Sequence, residues 1–339
     1  MQHNRHELNA ELPAAGRGGT IAVVIPSYKV TRHILGVIGR IGPEVAKVYV
    51  VDDKCPDQSG QFVARECKDE RVVVVYNEIN LGVGGAVMAG YRRALTDGAD
   101  VIVKIDGDGQ MDPSMLLRFA SPILKGQADY TKGNRFYDLT RIVQMPKIRL
   151  FGNAVLSFMA KFSTGYWGLF DPTNGYTAIS ARVAAHLPLD KISTRYFFET
   201  DILFRLNTLR AAVVDIPMHA HYADEESGLK ISKILADFTF KHLRNLFKRI
   251  FYNYFLRDMS IASIELVAGL LLVAFGLIYG GYHWVDSEVR SVSTPTGIIM
   301  LATLPIIIGF QLLLAFLAFD IANAPRRSIS ADLPEPLVQ

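Results

Sequence analysis

Two aspartates one residue apart, Asp106 and Asp108, close the apolar run Val101-Ile-Val-Lys-Ile105 in the segment Lys104-Ile-Asp106-Gly-Asp108-Gly-Gln110-Met-Asp112-Pro113. Alternate carboxylates at a strand end can meet a divalent cation from one side and leave its other positions to diphosphate oxygens, as a nucleotide-diphosphate donor would require. The same spacing is common in surface loops, so the buried run in front of it is what favours a metal. A second pair of acids, Asp52 and Asp53, ends the run Val48-Tyr-Val-Val51. A carboxylate there can accept hydrogen bonds from a base or a ribose, while a turn or helix N-cap uses an acid in the same way. The pair's emergence from a buried strand favours a ligand role for Asp53. The glycine-rich Asn80-Leu-Gly82-Val-Gly84-Gly85-Ala86 opens a helix and would allow close approach to a ligand or a tight turn. It follows the third apolar run and lacks the last glycine of G-x-G-x-x-G, which argues against a nicotinamide enzyme.

The elements that must position these groups are legible. From Thr20 to about Arg135, four β-branched runs (Ile21–Ile25, Val48–Val51, Val72–Tyr76, Val101–Ile105) alternate with helical stretches. This is the pattern of strand-helix units around a parallel sheet, whose ligands bind at the carboxyl ends of the strands. Pro26-Ser-Tyr28, Asp52-Asp53, Asn77 to Asn80 and Asp106-Gly-Asp108 all fall there.

The chain has 339 residues, half of them hydrophobic and 20% charged, which fits a soluble domain joined to a membrane segment. The net charge of +3 is too small to argue for nucleic acid, and two cysteines, Cys55 and Cys67, suggest neither a disulfide framework nor structural zinc. Residues 1–19 hold no apolar run long enough for a signal peptide and read as a loose cytoplasmic tail, His3 and His6 included.

Between Arg135 and Ile216 the pattern is less regular, with helices expected around Phe151–Phe162 and Glu199–Asn207. This stretch is assigned to the acceptor. Glu199 and Asp201 fall on its second helix as candidate bases, and Trp167, Phe170 and Asp171-Pro-Thr-Asn-Gly-Tyr176 could form an acceptor-side loop. His219-Ala-His221 puts two imidazoles on one strand face, where a polar face without a third ligand is the simpler reading.

Residues 230–257 carry seven Lys or Arg against one Asp, with Ile231, Leu235, Phe238, Leu243, Phe247, Ile250 and Tyr254 at helical spacing. A basic amphipathic helix of this kind lies in a membrane interface, or else packs on the soluble domain. Ile261–Tyr279 and Gly297–Phe319 are each long and apolar enough to cross a bilayer, which makes residues 258–322 a two-helix hairpin. Basic residues crowd before the first span and recur at Arg326-Arg327, placing the catalytic domain, both termini and the 323–339 tail on the cytoplasmic side of the cell inner membrane. Glu265 and Gln311 are polar within the spans, and Glu265 is near enough to the interface to snorkel.

Taken in order, Val24-Ile-Pro-Ser-Tyr28, Val51-Asp-Asp53, Asn80 to Ala86, Asp106 to Pro113 and Phe198-Glu-Thr-Asp201 resemble a glycosyltransferase family 2 domain over about residues 20–229. With the basic helix and hairpin, the chain resembles the polyprenyl-phosphate branch, which includes dolichyl-phosphate mannose synthases and bacterial polyprenyl-phosphate glucosyltransferases. The resemblance implies the α/β GT-A fold, Rossmann-like and built to bind a nucleotide sugar. It implies that Pro26, Tyr28, Asp53, Asn80 and Gly84 serve the donor, and that Asp106, Asp108 and Gln110 hold Mg2+ or Mn2+ and the diphosphate. Arg135, in Lys132-Gly-Asn-Arg135, and Lys230 are placed near phosphate, with Asp108, Glu199 and Asp201 as catalytic acids. The implied partners are a nucleotide sugar, a polyprenyl (undecaprenyl or dolichyl) phosphate, a membrane and a second copy of the chain, a tetramer in this branch. Two departures stand out: Lys54-Cys55 replaces the usual Gly-Ser after Asp52-Asp53, and no arginine stands upstream of Glu226-Ser-Gly-Leu-Lys230. The expected reaction is inverting transfer of a monosaccharide to the lipid phosphate. Its rivals are transfer to a lipid or glycan hydroxyl and a non-catalytic membrane scaffold that binds nucleotide sugars. Two spans offer no export channel and no Gln-x-x-Arg-Trp motif occurs, so a processive polysaccharide synthase is disfavoured.

Overall fold

The computed structural model describes residues 19–137, 147–218 and 231–334; Lys230, His219 and His221 lie outside these ranges. The expected strands form as β1 (Ile21–Ser27), β2 (Val45–Asp52), β3 (Val72–Tyr76) and β4 (Val101–Lys104), with helices α1 (Ile34–Ile38), α2 (Ser59–Glu66), α3 (Val83–Thr96) and α4 (Leu116–Leu124) between and after them. The sheet continues through β5 (Tyr130–Asn134), α5 (Lys147–Thr164), β6 (Thr177–Ser180), α6 (Ala181–Ala185), α7 (Phe198–Leu209) and β7 (Val213–Pro217). Its order is β3-β2-β1-β4-β6-β5-β7. Strand β6 runs antiparallel to both β4 and β5, so the sheet is mixed rather than wholly parallel. The last three strands are short, and two carry lysine or aspartate at inward positions, which hides them from a reading of apolar runs.

Alternate residues feed two cores. Val24, Val51, Ile102, Tyr130 and Ile179 meet α3 and α7 on one face, while Val23, Val50, Val103 and Ala178 meet α1 and α4 on the other. The glycines opening α3 have a packing role. A Cβ on Gly84 would lie 2.5 Å from the Ser193 carbonyl oxygen and 2.6 Å from Phe198 Cβ, and Gly82, at φ +85°, lies against the Thr194 carbonyl. Close approach here is to the loop that leads into α7.

Helix α8 (Ile231–Phe251) inverts the usual arrangement of an amphipathic helix. His242, Asn245 and Arg249, with Asn253 one turn beyond, are buried against the catalytic domain, whereas Phe240, Leu243, Phe247 and Phe251 point outward. One face of this segment therefore packs on the soluble domain, and the opposite face is left exposed. A π-helical turn, Tyr252–Arg257, leads into α9 (Ile261–Arg290), which pairs with α10 (Thr296–Ala322). Gly269 against Gly309 and Gly276 against Ala302 set these two side by side and antiparallel. Both are long and apolar enough to cross a membrane, and only 22% and 11% of their most apolar windows are buried, which a core helix of a soluble protein would not show. After α10 the chain returns to the catalytic domain. Asp129 accepts from Ser328 Oγ at 2.6 Å and from the backbone N–H groups of Ile329 and Ser330, and Ile329 and Leu333 pack on the α3/α7 core. Part of the expected 323–339 tail is thus structured.

The Gly84 contacts predict that Gly84→Ala destabilises the protein by about 1–3 kcal/mol, the usual effect of overpacking. Thermal unfolding of the purified protein checks this; an unchanged midpoint would mean that the α7 loop yields without cost.

Candidate active site

The register of four strands sets one row of side chains across the inner face. Lys104 is opposite Thr177, Thr177 opposite Lys132, and Lys132 opposite Asp215. Lys104 and Lys132 are both buried. Lysines in such a place need counter-charges. Lys104 Nζ pairs with Asp106 Oδ1 at 2.7 Å. Among the described residues Lys132 Nζ finds no hydrogen-bond partner, and burial lowers its pKa to about 8 against the attraction of Asp171 and Asp215.

Beyond β4 the chain turns sharply. Gly109 takes φ +83°, and Asp108 Oδ1 accepts from the Gln110 N–H at 2.9 Å. Gly175 passes so close that a Cβ there would be 2.4 Å from Lys104 Nζ and 3.0 Å from Asp106 Oδ2. Only a residue without a side chain leaves this carboxylate accessible from that direction. Asp106 and Asp108 thus share one turn, as the sequence predicts. Among the described residues no group of three or more His, Cys, Asp or Glu could hold a metal alone. A cation bound by this turn would need oxygens from a ligand.

At the ends of β1 and β2 the register brings Ser27 beside Asp52. Asp53 is buried with its carboxylate engaged by the chain: Oδ1 accepts from Asn77 Nδ2 at 2.8 Å and the Leu81 N–H at 2.9 Å, and Oδ2 from the Gly82 N–H at 2.7 Å. Asn80 Nδ2 donates to the Asp53 carbonyl at 3.1 Å. Asp53 and Asn80 therefore shape the loop before α3. Asp52 likewise accepts from the N–H groups of Cys55 and Gly60, which closes the turn where Lys54-Cys55 replaces the usual pair. Tyr28 is exposed beside this turn and Pro26 is half-buried. Lys29, Lys54 and Gln58 all adopt left-handed backbone conformations there, a concentration of strain common at ligand sites.

Glu199 and Asp201, two residues apart on α7, point in different directions, as a helix demands. Asp201 is fully buried and faces α8, accepting from the Ser193 N–H at 2.8 Å, Asn245 Nδ2 at 3.1 Å and Arg205 Nη2 at 3.4 Å. Its place is structural, joining α7 to α8. Glu199 faces the lysine row: burial raises its pKa to about 7, opposed by Lys104 and Lys132 and reinforced by Asp106. Arg135, just past β5, is gripped by Asp171, with Nε to Oδ2 at 2.7 Å and Nη2 to Oδ1 at 3.0 Å, and its side chain remains 32% exposed. Burial pushes the Asp171 carboxyl up, but Arg135 and Lys132 outweigh it and hold it below the usual range. Burial likewise raises Asp215.

Sequence reasoning singled out neither Lys104, Lys132 nor Asp215. A lysine inside the run Val101-Ile-Val-Lys-Ile105 was the available signal, since an unpaired ammonium does not belong in a buried strand.

Known proteins agree with this architecture. The Glycosyl transferase family 2 model matches residues 22–187. The undecaprenyl-phosphate mannosyltransferase of Micrococcus luteus is 31% identical over 202 residues, covering 58% of this chain and 82% of that protein. The UDP-N-acetylglucosamine–dolichyl-phosphate N-acetylglucosaminyltransferase of Methanococcus voltae is 25% identical over 218 residues, covering 60% and 86%. In fold the chain is similar to glucosyl-3-phosphoglycerate synthase of Mycobacterium tuberculosis, solved with Mn2+, UDP and glucosyl-3-phosphoglycerate, at a TM-score of 0.52 and 20% identity over 74% of this chain and 86% of that one. The chain belongs to glycosyl transferase family 2, in its polyprenyl-phosphate branch, and is a glycosyltransferase with the GT-A fold.

Proposed function

We propose that this enzyme transfers a monosaccharide from a nucleoside-diphosphate sugar to a polyprenyl phosphate in a single inverting displacement at the cytoplasmic face of a membrane. The observation that carries the reading is the presence of two charged centres at the same end of the sheet: the Asp106–Asp108 turn after β4 and the partly exposed Arg135 guanidinium, held on Asp171, after β5. The first suits a cation and a diphosphate, the second an anionic nucleophile. The catalytic unit is residues 20–229, the interfacial helix 230–257 and the hairpin 258–322.

Asp106 and Asp108 are hard oxygen ligands, and the gap left by Gly175 gives room at Asp106, so these residues fit Mg2+ or Mn2+, with Gln110 beside them. When bound, such an ion supplies positive charge against which the nucleoside diphosphate departs. Lys104 fixes the Asp106 carboxylate through their ion pair. Arg135 would take the lipid phosphate so that one of its oxygens attacks the anomeric carbon as the bond to the diphosphate breaks. That oxygen is already ionised at neutral pH, so Glu199 is needed to orient and to balance the lysines rather than to remove a proton. A Glu199 pKa near 7 also suits a general base, which supports the second reading, transfer to a hydroxyl. The outward Phe240, Leu243, Phe247 and Phe251 with the exposed Arg244 and Lys248 support seating of α8 in an anionic membrane surface. Tyr279, Tyr282 and Trp284 suit the opposite interface.

Transfer measured with the full-length enzyme and polyprenyl phosphate should be abolished by excess chelator and nearly abolished by Asp108→Asn with folding intact; full activity in either case rules out the metal. Mild acid should release free sugar from the product, because an anomeric phosphodiester is acid-labile. A product that resists acid, made equally well on a lipid without phosphate, would install the hydroxyl reading.

The pH profile gives a further check. Ionised Glu199 is the working form, so kcat/KM should rise with pH through an inflection near 7, distinct from the phosphate's own ionisation near about 6. Glu199→Gln should remove the upper inflection and lower the plateau by less than about a hundredfold if the acceptor is a phosphate, whereas a loss of about 10³ or more would signal a true base. Stability moves the other way. The folded protein holds the Glu199 proton more tightly than the unfolded chain, so this group's contribution is lost as pH rises from its ordinary value of 4.5 through about 7.

A further inference from the structure

A carboxylate at the end of an otherwise apolar helix needs a reason. Asp320, in the last turn of α10, is 4% exposed and accepts four hydrogen bonds. Arg249 Nη1 and Nη2 donate at 2.6 and 3.0 Å, Tyr254 Oη at 2.6 Å and Trp167 Nε1 at 2.9 Å. Arg249 alone would balance the charge. The Trp167 bond does something else, because it ties the hairpin to the loop that runs from α5 to Asp171.

That loop is fixed at both ends. At its start Gly165, at φ +76°, passes so close to Arg249 that a Cβ would lie 2.7 Å from Nη1. Next to it Tyr166 Oη donates to the Ala211 carbonyl at 2.6 Å, and the Trp167 ring meets Phe162 edge to face at 5.4 Å. At its end the Phe170 N–H donates to Asp215 Oδ2 at 3.1 Å, and Asp171 grips Arg135 through two bonds. Three residues, Gly168, Leu169 and Phe170, separate Trp167 from Asp171, a reach of at most about 14 Å when fully extended, so the two ends are held by one short stretch of chain.

We propose that Asp320 is a positioning residue for sugar transfer: through Trp167 it sets the loop whose Asp171 aims Arg135 at the acceptor phosphate. The inference rests on the reading of Arg135 given above. It makes the seating of the hairpin a condition for acceptor binding, while the ends of β1 and β2 stay outside the network and the Asp106–Asp108 turn meets it only through Gly175.

The experiment compares Trp167→Phe, which keeps an aromatic ring and deletes only the indole N–H, with Asp320→Asn and Arg135→Gln in the full-length enzyme. A hydrogen bond to a charged group corresponds to about a tenfold change. Trp167→Phe should therefore raise the KM for polyprenyl phosphate about tenfold and leave the KM for the nucleotide sugar unchanged. Asp320→Asn should do more, and Arg135→Gln sets the scale. A readout without turnover comes from the chain's two tryptophans, Trp167 and Trp284. In a Trp284→Phe background the emission of Trp167 should shift when polyprenyl phosphate is added in vesicles without donor, and Asp320→Asn should abolish that shift.

If Arg135→Gln raises the lipid KM while Trp167→Phe does not, the positioning role is overturned and the phosphate reading stands. Equal effects of Trp167→Phe on both KM values would reduce the network to scaffolding and also overturn it. If Arg135→Gln itself leaves the lipid KM unaltered, both readings fall. Should Asp320→Asn prove unstable, Trp167→Phe still decides.

Discussion

Two ammonium groups buried in one row of a β-sheet impose their terms on everything nearby. Lys104 and Lys132 flank Thr177 on the inner face, where water cannot solvate them. A charge in that position must be paired or neutralised. The surrounding acids answer that demand: Asp106 to Lys104, Asp171 and Asp215 near Lys132, and Glu199 between the two lysines electrostatically. The pairing is by charge more than by contact, since among the described residues Lys132 Nζ and Asp215 Oδ1 find no hydrogen-bond partners. A row of this kind is poor at stabilising a fold.

The same constraint explains what the sequence could and could not disclose. Strands β1 to β4 are apolar on both faces because helices cover both, and such runs announce themselves. Asp106 and Asp108 were visible because they break one of those runs at its end. Strands β5 to β7 were not, because Lys132 and Asp215 stand where a core residue would be expected, and the partners that make this tolerable come from distant segments. Glu199 and Asp201 were equally plausible acids on a helix. Only the packing of α7 shows that Asp201 faces Asn245 and Arg205 while Glu199 faces the lysines. The glycines before and in α3 suit close approach to a ligand or a tight turn equally well, and only the fold shows that a Cβ on Gly84 would meet Ser193 and Phe198.

Helix α8 was ambiguous for a similar reason. Its apolar residues repeat at helical spacing, but spacing alone does not say whether the stripe faces protein or lipid. Burial splits it: His242, Asn245 and Arg249 have partners in the protein, Ile250 and Tyr254 pack beside them, and Leu243 and Phe247 face out with Phe240 and Phe251. Hydrophobic periodicity is a statement about solvent, and here two solvents compete.

The return of the chain to Asp129 carries a consequence for how the molecule is made. Asp129 and Ser328 are separated by 199 positions, and Ile329 and Leu333 complete a core begun by β1. Synthesis proceeds from the N-terminus, so the α/β domain must wait, with Asp129 short of its final donors, until both apolar helices have left the ribosome and found their place. Its closing contacts are translated after both apolar helices, which orders assembly: the helix pair first, completion of the α/β core afterwards. A polypeptide that stopped before the hairpin would lack the residues that finish its own interior.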